Sequence, residues 1–145
     1  MNARRVLVAF AGVAIVGTLA ELVMLRHWDS FEQVIPFLVL GALAGIAAII
    51  WSSRPTPKAL FVVLAISAAA ALFGTWEHVE SNHETAPLDA VYGPKWESMS
   101  ATSQWWAAAN GSVGPSPPLV PLVMAYICAM LGTAAWVDRR EPTPA

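Results

Sequence analysis

The sequence predicts an all-α membrane protein: a bundle of four transmembrane helices with a long outer loop, between the third and fourth, that carries a short interfacial helix. Three observations predict it. Four apolar runs, Val6–Leu25, Val34–Trp51, Ala59–Trp76 and Leu119–Val137, occupy most of the 145 residues. Each is roughly 18–20 residues long, the length at which a helix crosses a hydrocarbon core of about 30 Å. Glu21 is the one formally charged side chain inside any of them, and a backbone at that depth has no water to bond, so it must satisfy itself as helix.

Composition agrees. Apolar residues make up 57% of the chain and charged residues 12%, against roughly 25% charged in ordinary soluble domains. A chain of this size holds four spans and little else, so a single domain over residues 1–145 is expected, with helices at about 6–27, 31–52, 58–80 and 118–138 and the loop at about 81–117.

The first segment begins after Arg4 and Arg5 and ends in Arg26-His27-Trp28, a snorkelling and interfacial cluster. Its length and its apolar continuation through Leu22–Leu25 favour a retained helix over a cleaved signal peptide. Asp29-Ser30 turns the chain, and Ser30…Gln33 has capping-box spacing for the second helix. That helix carries Gly41 and Gly45 as G-x-x-x-G, with Ala48 on the same face. Ser67, Ala71 and Gly74 form the matching stripe of the third helix, Ala125, Ala129 and Gly132 that of the fourth, and Ala14 and Gly17 that of the first. Small residues let membrane helices approach closely. Gly41 and Gly45 serve either this bundle or a second protomer.

Basic residues set the orientation. Arg4, Arg5, Arg54, Lys58, Arg139 and Arg140 flank one side of the spans, and only Arg26 and Lys95 flank the other. Cytoplasmic loops collect Lys and Arg, so both termini and the Ser52–Lys58 turn are expected in the cytoplasm and Glu77–Pro118 outside. A loop of that length exceeds what packing requires. Trp96, Met99, Ser103 and Trp106, with Trp105 adjacent, recur at helical spacing within Pro94–Asn110. A helix lying on the interface is expected there, with Trp96, Trp105 and Trp106, like Trp28, as interface anchors. Asn110-Gly111-Ser112 ends it and also matches a glycosylation sequon.

Two groups of residues are candidates for chemistry. Glu21 lies one turn inside the first helix, with His27 just beyond its end. An intramembrane carboxylate handles protons or ligands, or it pairs with Arg26 or His78 to lock two helices. Glu77, His78, Glu80 and His83 lie where the third helix leaves the membrane, and Glu80…His83 has the E-x-x-H spacing of di-iron bundles. Imidazole with carboxylates suits zinc, copper, iron or manganese; a solvated helix end has the same composition. The lone cysteine, Cys128, cannot form an intramolecular disulfide. No basic, aromatic-interleaved surface points to nucleic acid.

Three stretches, 30–37 (SFEQVIPF), 74–82 (GTWEHVESN) and the Pro-rich 118–121 (PLVP), resemble a loosely defined group of small four-helix bacterial inner-membrane proteins without an assigned function. The resemblance implies a bacterial inner membrane and an outward-facing His78/Asn82 cluster. It implies no activity. The expected function is that of a non-catalytic accessory or interaction subunit without a cofactor, whose partners are the bilayer and other membrane proteins or a second copy of itself. The alternative is a metal- or proton-handling membrane protein that uses the outer Glu/His cluster and a transition-metal ion.

Overall fold

The computed structural model describes residues 2–52 and 58–140, with side chains described through Val137. Residues 53–57, including Arg54, and the side chains of Arg139 and Arg140 lie outside that range, so three of the six cations expected on the cytoplasmic side do too. Among the described residues the chain is all helical. The elements are α1 (Ala3–Met24), α2 (Phe31–Ser52), α3 (Ala59–Thr85), 3₁₀ turns at Ala86–Leu88 and Gly93–Ser98, α4 (Ala101–Ala109) and α5 (Val120–Arg140). Four of them, α1, α2, α3 and α5, are long and apolar enough to cross a membrane.

The chain divides into two compact units: Met1–Ala71 with Val123–Ala145, and Leu72–Leu122. The boundaries fall inside α3 and near the start of α5. The first is the bundle unit and the second the connecting unit.

In the bundle unit, α1 buries Arg4, Val8, Ala11, Ile15, Thr18 and Leu22, and α2 buries Leu40, Leu43, Ile46, Ala47 and Ile50. Both sets step by three or four residues, one stripe of a helix. Leu64, Ser67 and Ala71 of α3 and Met124, Ile127, Cys128, Leu131, Ala134 and Ala135 of α5 complete the interior. The opposite faces carry exposed Phe10, Val13, Leu38 and Ile66, and no more than 39% of any apolar window is buried. In water that surface would not stay open; in a bilayer it is the lipid-facing side. Lipid is as apolar as leucine, so close packing rather than water exclusion holds such helices together.

The close contacts are made by alanines more than by glycines. Ala11, Ala71, Ala134 and Ala135 are fully buried. Gly132 does sit against Leu64: a β-carbon there would lie 3.8 Å from its side chain. Gly17, Gly41 and Gly45 are exposed, with nothing within 4 Å of where a β-carbon would stand. Ala14 is partly buried against the core but Gly17 is not, so the two do not pack as one stripe, and nothing among the described residues comes close to Gly41 or Gly45. The reason is register: the buried faces run through positions 11, 15 and 18 and through 40, 43 and 47, which turns these glycines away.

Helix α1 closes with a Schellman motif. Arg26 N–H bonds the Val23 carbonyl (3.1 Å) and His27 N–H bonds that of Leu22 (3.0 Å), with Arg26 in the left-handed region at φ 53°, a conformation usually given to glycine. The capping box at α2 is shifted by one residue. Ser30 Oγ accepts from Gln33 N–H (3.4 Å), and Gln33 Oε1 accepts from Asp29 N–H (2.8 Å) rather than from Ser30. Trp28 packs its ring 6.5 Å from Phe37 and stays half-exposed, consistent with an interface position.

The connecting unit has its own small core of Ala86, Trp96, Ala107, Ala108 and Val113, flanked by Val79, Tyr92 and Met99. The single helix expected over Pro94–Asn110 is two elements. Met99 and Ser100 are extended (ψ 149° and 150°), and Ser100 Oγ caps α4 by accepting from Ser103 N–H at 3.3 Å. Gln104 Nε2 donates back to the Trp96 carbonyl at 2.7 Å, bracing the corner. The break separates side chains that a continuous helix would align. Trp96 is 6% exposed and Trp106 69%, so Trp96 is a core residue and not an interface anchor.

Asp89 organises the turn between the two 3₁₀ segments. Its Oδ1 accepts from Val91 N–H and Tyr92 N–H, each at 2.8 Å. Those two bonds, Tyr92 first, hold its carboxyl below the ordinary aspartate range, with Lys95 adding a smaller push in the same direction. A depressed carboxylate stabilises the fold at pH above its unfolded value and ceases to do so as pH falls through the folded one. Acidification below about pH 4 is therefore expected to loosen residues 89–93 first. Protection of the Val91 and Tyr92 amides, taken as exchange relative to the intrinsic rate at each pH and compared between wild type and Asp89→Asn, checks this: the variant's protection should be far less sensitive to pH.

Candidate functional site: the polar and aromatic face of the connecting unit

Helix α3 runs on to Thr85, five residues past the end expected at about 80, and carries the polar cluster out with it. This stretch is polar, so apolar content does not select helix here as it does in the run before it. What continues it is the set of partners met by its side chains.

His78 and Asn82, one turn apart, hold the segment that returns to α5. His78 Nδ1 lies 2.9 Å from the Pro117 carbonyl; a carbonyl only accepts, so Nδ1 carries the hydrogen. Asn82 is fully buried. Its Nδ2 donates to the Ser116 carbonyl (2.7 Å) and the Ala108 carbonyl (3.2 Å), and its Oδ1 accepts from Ser116 N–H (2.9 Å). Gly114 passes directly over this amide. It has φ 78°, and a β-carbon there would overlap Asn82 Oδ1. Further along, Gly74 gives α3 a close approach to Pro121, with a β-carbon position 3.5 Å from that ring.

A second face of α3 holds aromatic rings. Trp105, from α4, inserts between Trp76 and His83, which are two helical turns apart on α3. Its ring stacks on Trp76 at 5.3 Å and 19° and on His83 at 4.1 Å and 15°. Trp96 meets His83 edge-on at 5.3 Å and 68°. Trp105 is therefore an internal fastener as well as a partly exposed ring, while Trp106, its neighbour, points outward. His83 Nε2 is buried and has no hydrogen-bond partner among the described residues.

The four residues singled out as a metal set thus have separate surroundings. His78 is engaged by Pro117, His83 is enclosed by indoles, Glu77 is exposed and Glu80 half-buried. Among the described residues no group of three His, Cys, Asp or Glu side chains is placed to share an ion. Glu21 is half-buried at the edge of the α1 packing stripe, in the bundle unit, and His27 follows the helix end there. Asn110 is exposed and closes its own turn, its Oδ1 accepting from Ser112 N–H at 2.9 Å.

Comparison with known proteins finds no matching family model, no matching curated protein and no matching solved structure. The site has to be read from its own geometry. Beside the aromatic ladder, Tyr92, Met99 and Trp106 line an open groove of about 430 Å³ together with Thr102, Ser103 and Asn110. Aromatic and thioether surface beside hydroxyl and amide groups gives the groove both apolar contact and hydrogen-bonding capacity.

Asn82, which the sequence offers only as half of a His78/Asn82 cluster, organises the unit. Its place four residues after His78 puts it on the face that a helix extended past Glu80 presents. Its partners, Ala108 and Ser116, are 26 and 34 residues away, beyond the reach of any local pattern.

The unpartnered Nε2 makes a specific prediction. His83→Phe keeps a ring against Trp105 and Trp96 and removes a buried polar atom, so stability should be unchanged or slightly raised. His83→Ala should lose about 1–2 kcal/mol through the missing ring contacts and the void. Thermal unfolding and near-ultraviolet circular dichroism of the tryptophans check both.

Proposed function

We propose that this chain is a non-catalytic accessory or interaction subunit of a membrane assembly, seated in a bacterial inner membrane with both ends cytoplasmic and the connecting unit outside. The observation that carries the reading is the groove of the connecting unit, with Trp106 exposed at its edge and Val91 exposed in the preceding turn. Tryptophan, tyrosine and methionine are the residues enriched where proteins meet, and exposed apolar surface outside a bilayer-spanning segment marks contact sites. The open Gly41/Gly45 face of α2 adds a surface on which a neighbouring membrane helix can approach closely.

The test is the size of the particle extracted from native membranes in mild detergent. Wild type is expected in a defined assembly larger than the single chain, and Trp106→Ser with Gly45→Leu is expected to reduce its size while the isolated chain keeps its unfolding temperature. A wild-type protein that is monomeric throughout overturns the reading.

One observation favours the second reading, a metal- or proton-handling role: the buried Nε2 of His83. Metal analysis of purified protein separates the two. A stoichiometric transition metal that is lost in His83→Phe supports ion handling; wild type and variant with equal, substoichiometric metal remove it.

A further inference from the structure

We propose that the cleft where α1 begins and α2 ends binds a phosphate group, supplied by the headgroup of an anionic lipid. Asn2, Arg4, Arg5, Trp51 and Ser52 line a cleft of about 290 Å³. Arg4 is 4% exposed, and its Nη2 donates to the Ile50 carbonyl. That carbonyl belongs to the last turn of α2, where helical donors run out, so the bond holds a guanidinium in place at the edge of the cleft. Arg5 lies over the Trp51 ring, 5.5 Å from its centre. Asn2 Oδ1 caps α1 by accepting from Arg5 N–H at 3.1 Å, which keeps the positive end of the α1 dipole beside the same cleft.

Charge and depth point to the ligand. Two guanidiniums line the cleft and, among the described residues, no carboxylate does. Guanidinium forks match phosphate oxygens in pairs. The apolar run of α1 starts at Val6, immediately after Arg5, and that of α2 ends at Trp51. The cleft therefore lies where hydrocarbon gives way to headgroups, the level of lipid phosphates. Basic pockets between membrane helices at this level suit anionic headgroups. Arg4 supplies a fixed, largely desolvated charge, and Arg5 supplies a second that Trp51 orients.

The experiment uses the full chain in a neutral detergent, with phosphatidylglycerol, phosphatidylcholine and inorganic phosphate added separately. Native mass spectrometry counts bound lipid, and thermal unfolding reads stabilisation. Phosphatidylglycerol is expected to bind in preference to phosphatidylcholine and to raise the unfolding temperature. Arg5→Gln, on an exposed side chain, is expected to weaken that binding about tenfold, the worth of one charge-assisted contact. Lys58→Gln, an exposed cation outside the cleft, should change it less than about twofold if the site rather than diffuse charge is responsible. Equal binding of the two lipids, an unaffected Arg5→Gln, or equal losses in Arg5→Gln and Lys58→Gln each overturn the proposal. Stabilisation by inorganic phosphate equal to that by phosphatidylglycerol, and abolished by Arg5→Gln, overturns the lipid as the source and assigns the cleft to soluble phosphate.

Discussion

Asn82→Leu is expected to release the segment 110–118 while leaving the spanning helices folded. The substitution removes one buried side chain that serves three backbone groups: the carbonyls of Ala108 and Ser116 and the N–H of Ser116. Stranding a buried polar group costs about 1–3 kcal/mol, so a loss of roughly 3–5 kcal/mol in the connecting unit is expected. Hydrogen exchange should rise sharply at Ser112–Ser116 and stay unchanged in α1 and α2. Unaltered protection at Ser116 would show that the amide staple does not hold the return segment. Gly114 supplies an independent check. Gly114→Ala meets both the left-handed backbone and the Asn82 side chain, and the backbone term alone is about 1–2 kcal/mol. In the double variant Asn82→Ala, Gly114→Ala, the overlap with the amide is gone, while the 2.6 Å approach to the Cα of residue 82 and the backbone strain stay. The two losses should therefore add to less than their sum, as expected of residues in direct contact.

Ala11→Leu should weaken the bundle, and Gly41→Leu should not. Ala11 is fully buried, in a stripe between Val8 and Ile15. Three added carbons have nowhere to go in an interior packed at crystal density, and overpacking costs about 1–3 kcal/mol. Gly41 has open space where the new side chain would stand, and leucine would also remove the entropic penalty of a helical glycine, about 1 kcal/mol. Unfolding of the monomeric protein by a denaturing detergent distinguishes the two variants. A destabilised Gly41→Leu monomer beside a neutral Ala11→Leu would reverse the assignment of packing faces. A Gly41→Leu chain of full stability that no longer assembles would be the signature of a face reserved for another protein.

The contrast between alanine and glycine shows what a pattern of small residues can say. Spacing identifies which residues share a face, but the face that turns inward depends on rotation of the helix about its own axis. In lipid both faces are apolar, so the hydrophobic pattern that orients a helix in a soluble protein is weak here. Leu38 and Leu43 are equally apolar, and one is exposed while the other is fully buried. The Trp96–Trp106 repeat failed for a different reason. Ser100 is a good N-cap, and a serine three residues beyond it supplied the N–H that the cap required. Local competition between a cap and a continuous helix was settled by Gln104 reaching back to Trp96 and by Trp105 finding its place between Trp76 and His83.

The four spans were determined by the sequence alone, because a hydrocarbon core admits few solutions: length, apolar content and internal hydrogen bonding together select helix, and these can be counted residue by residue. The capped turn at Ser30 and the break before α5 were legible on similarly local grounds. Only the tertiary structure decided which helix faces touch, how far α3 continues, and that Asn82 rather than the Glu/His pattern organises the connecting unit. Those outcomes rest on contacts between residues tens of positions apart, where no local spacing carries the information and the partner's position is set by packing.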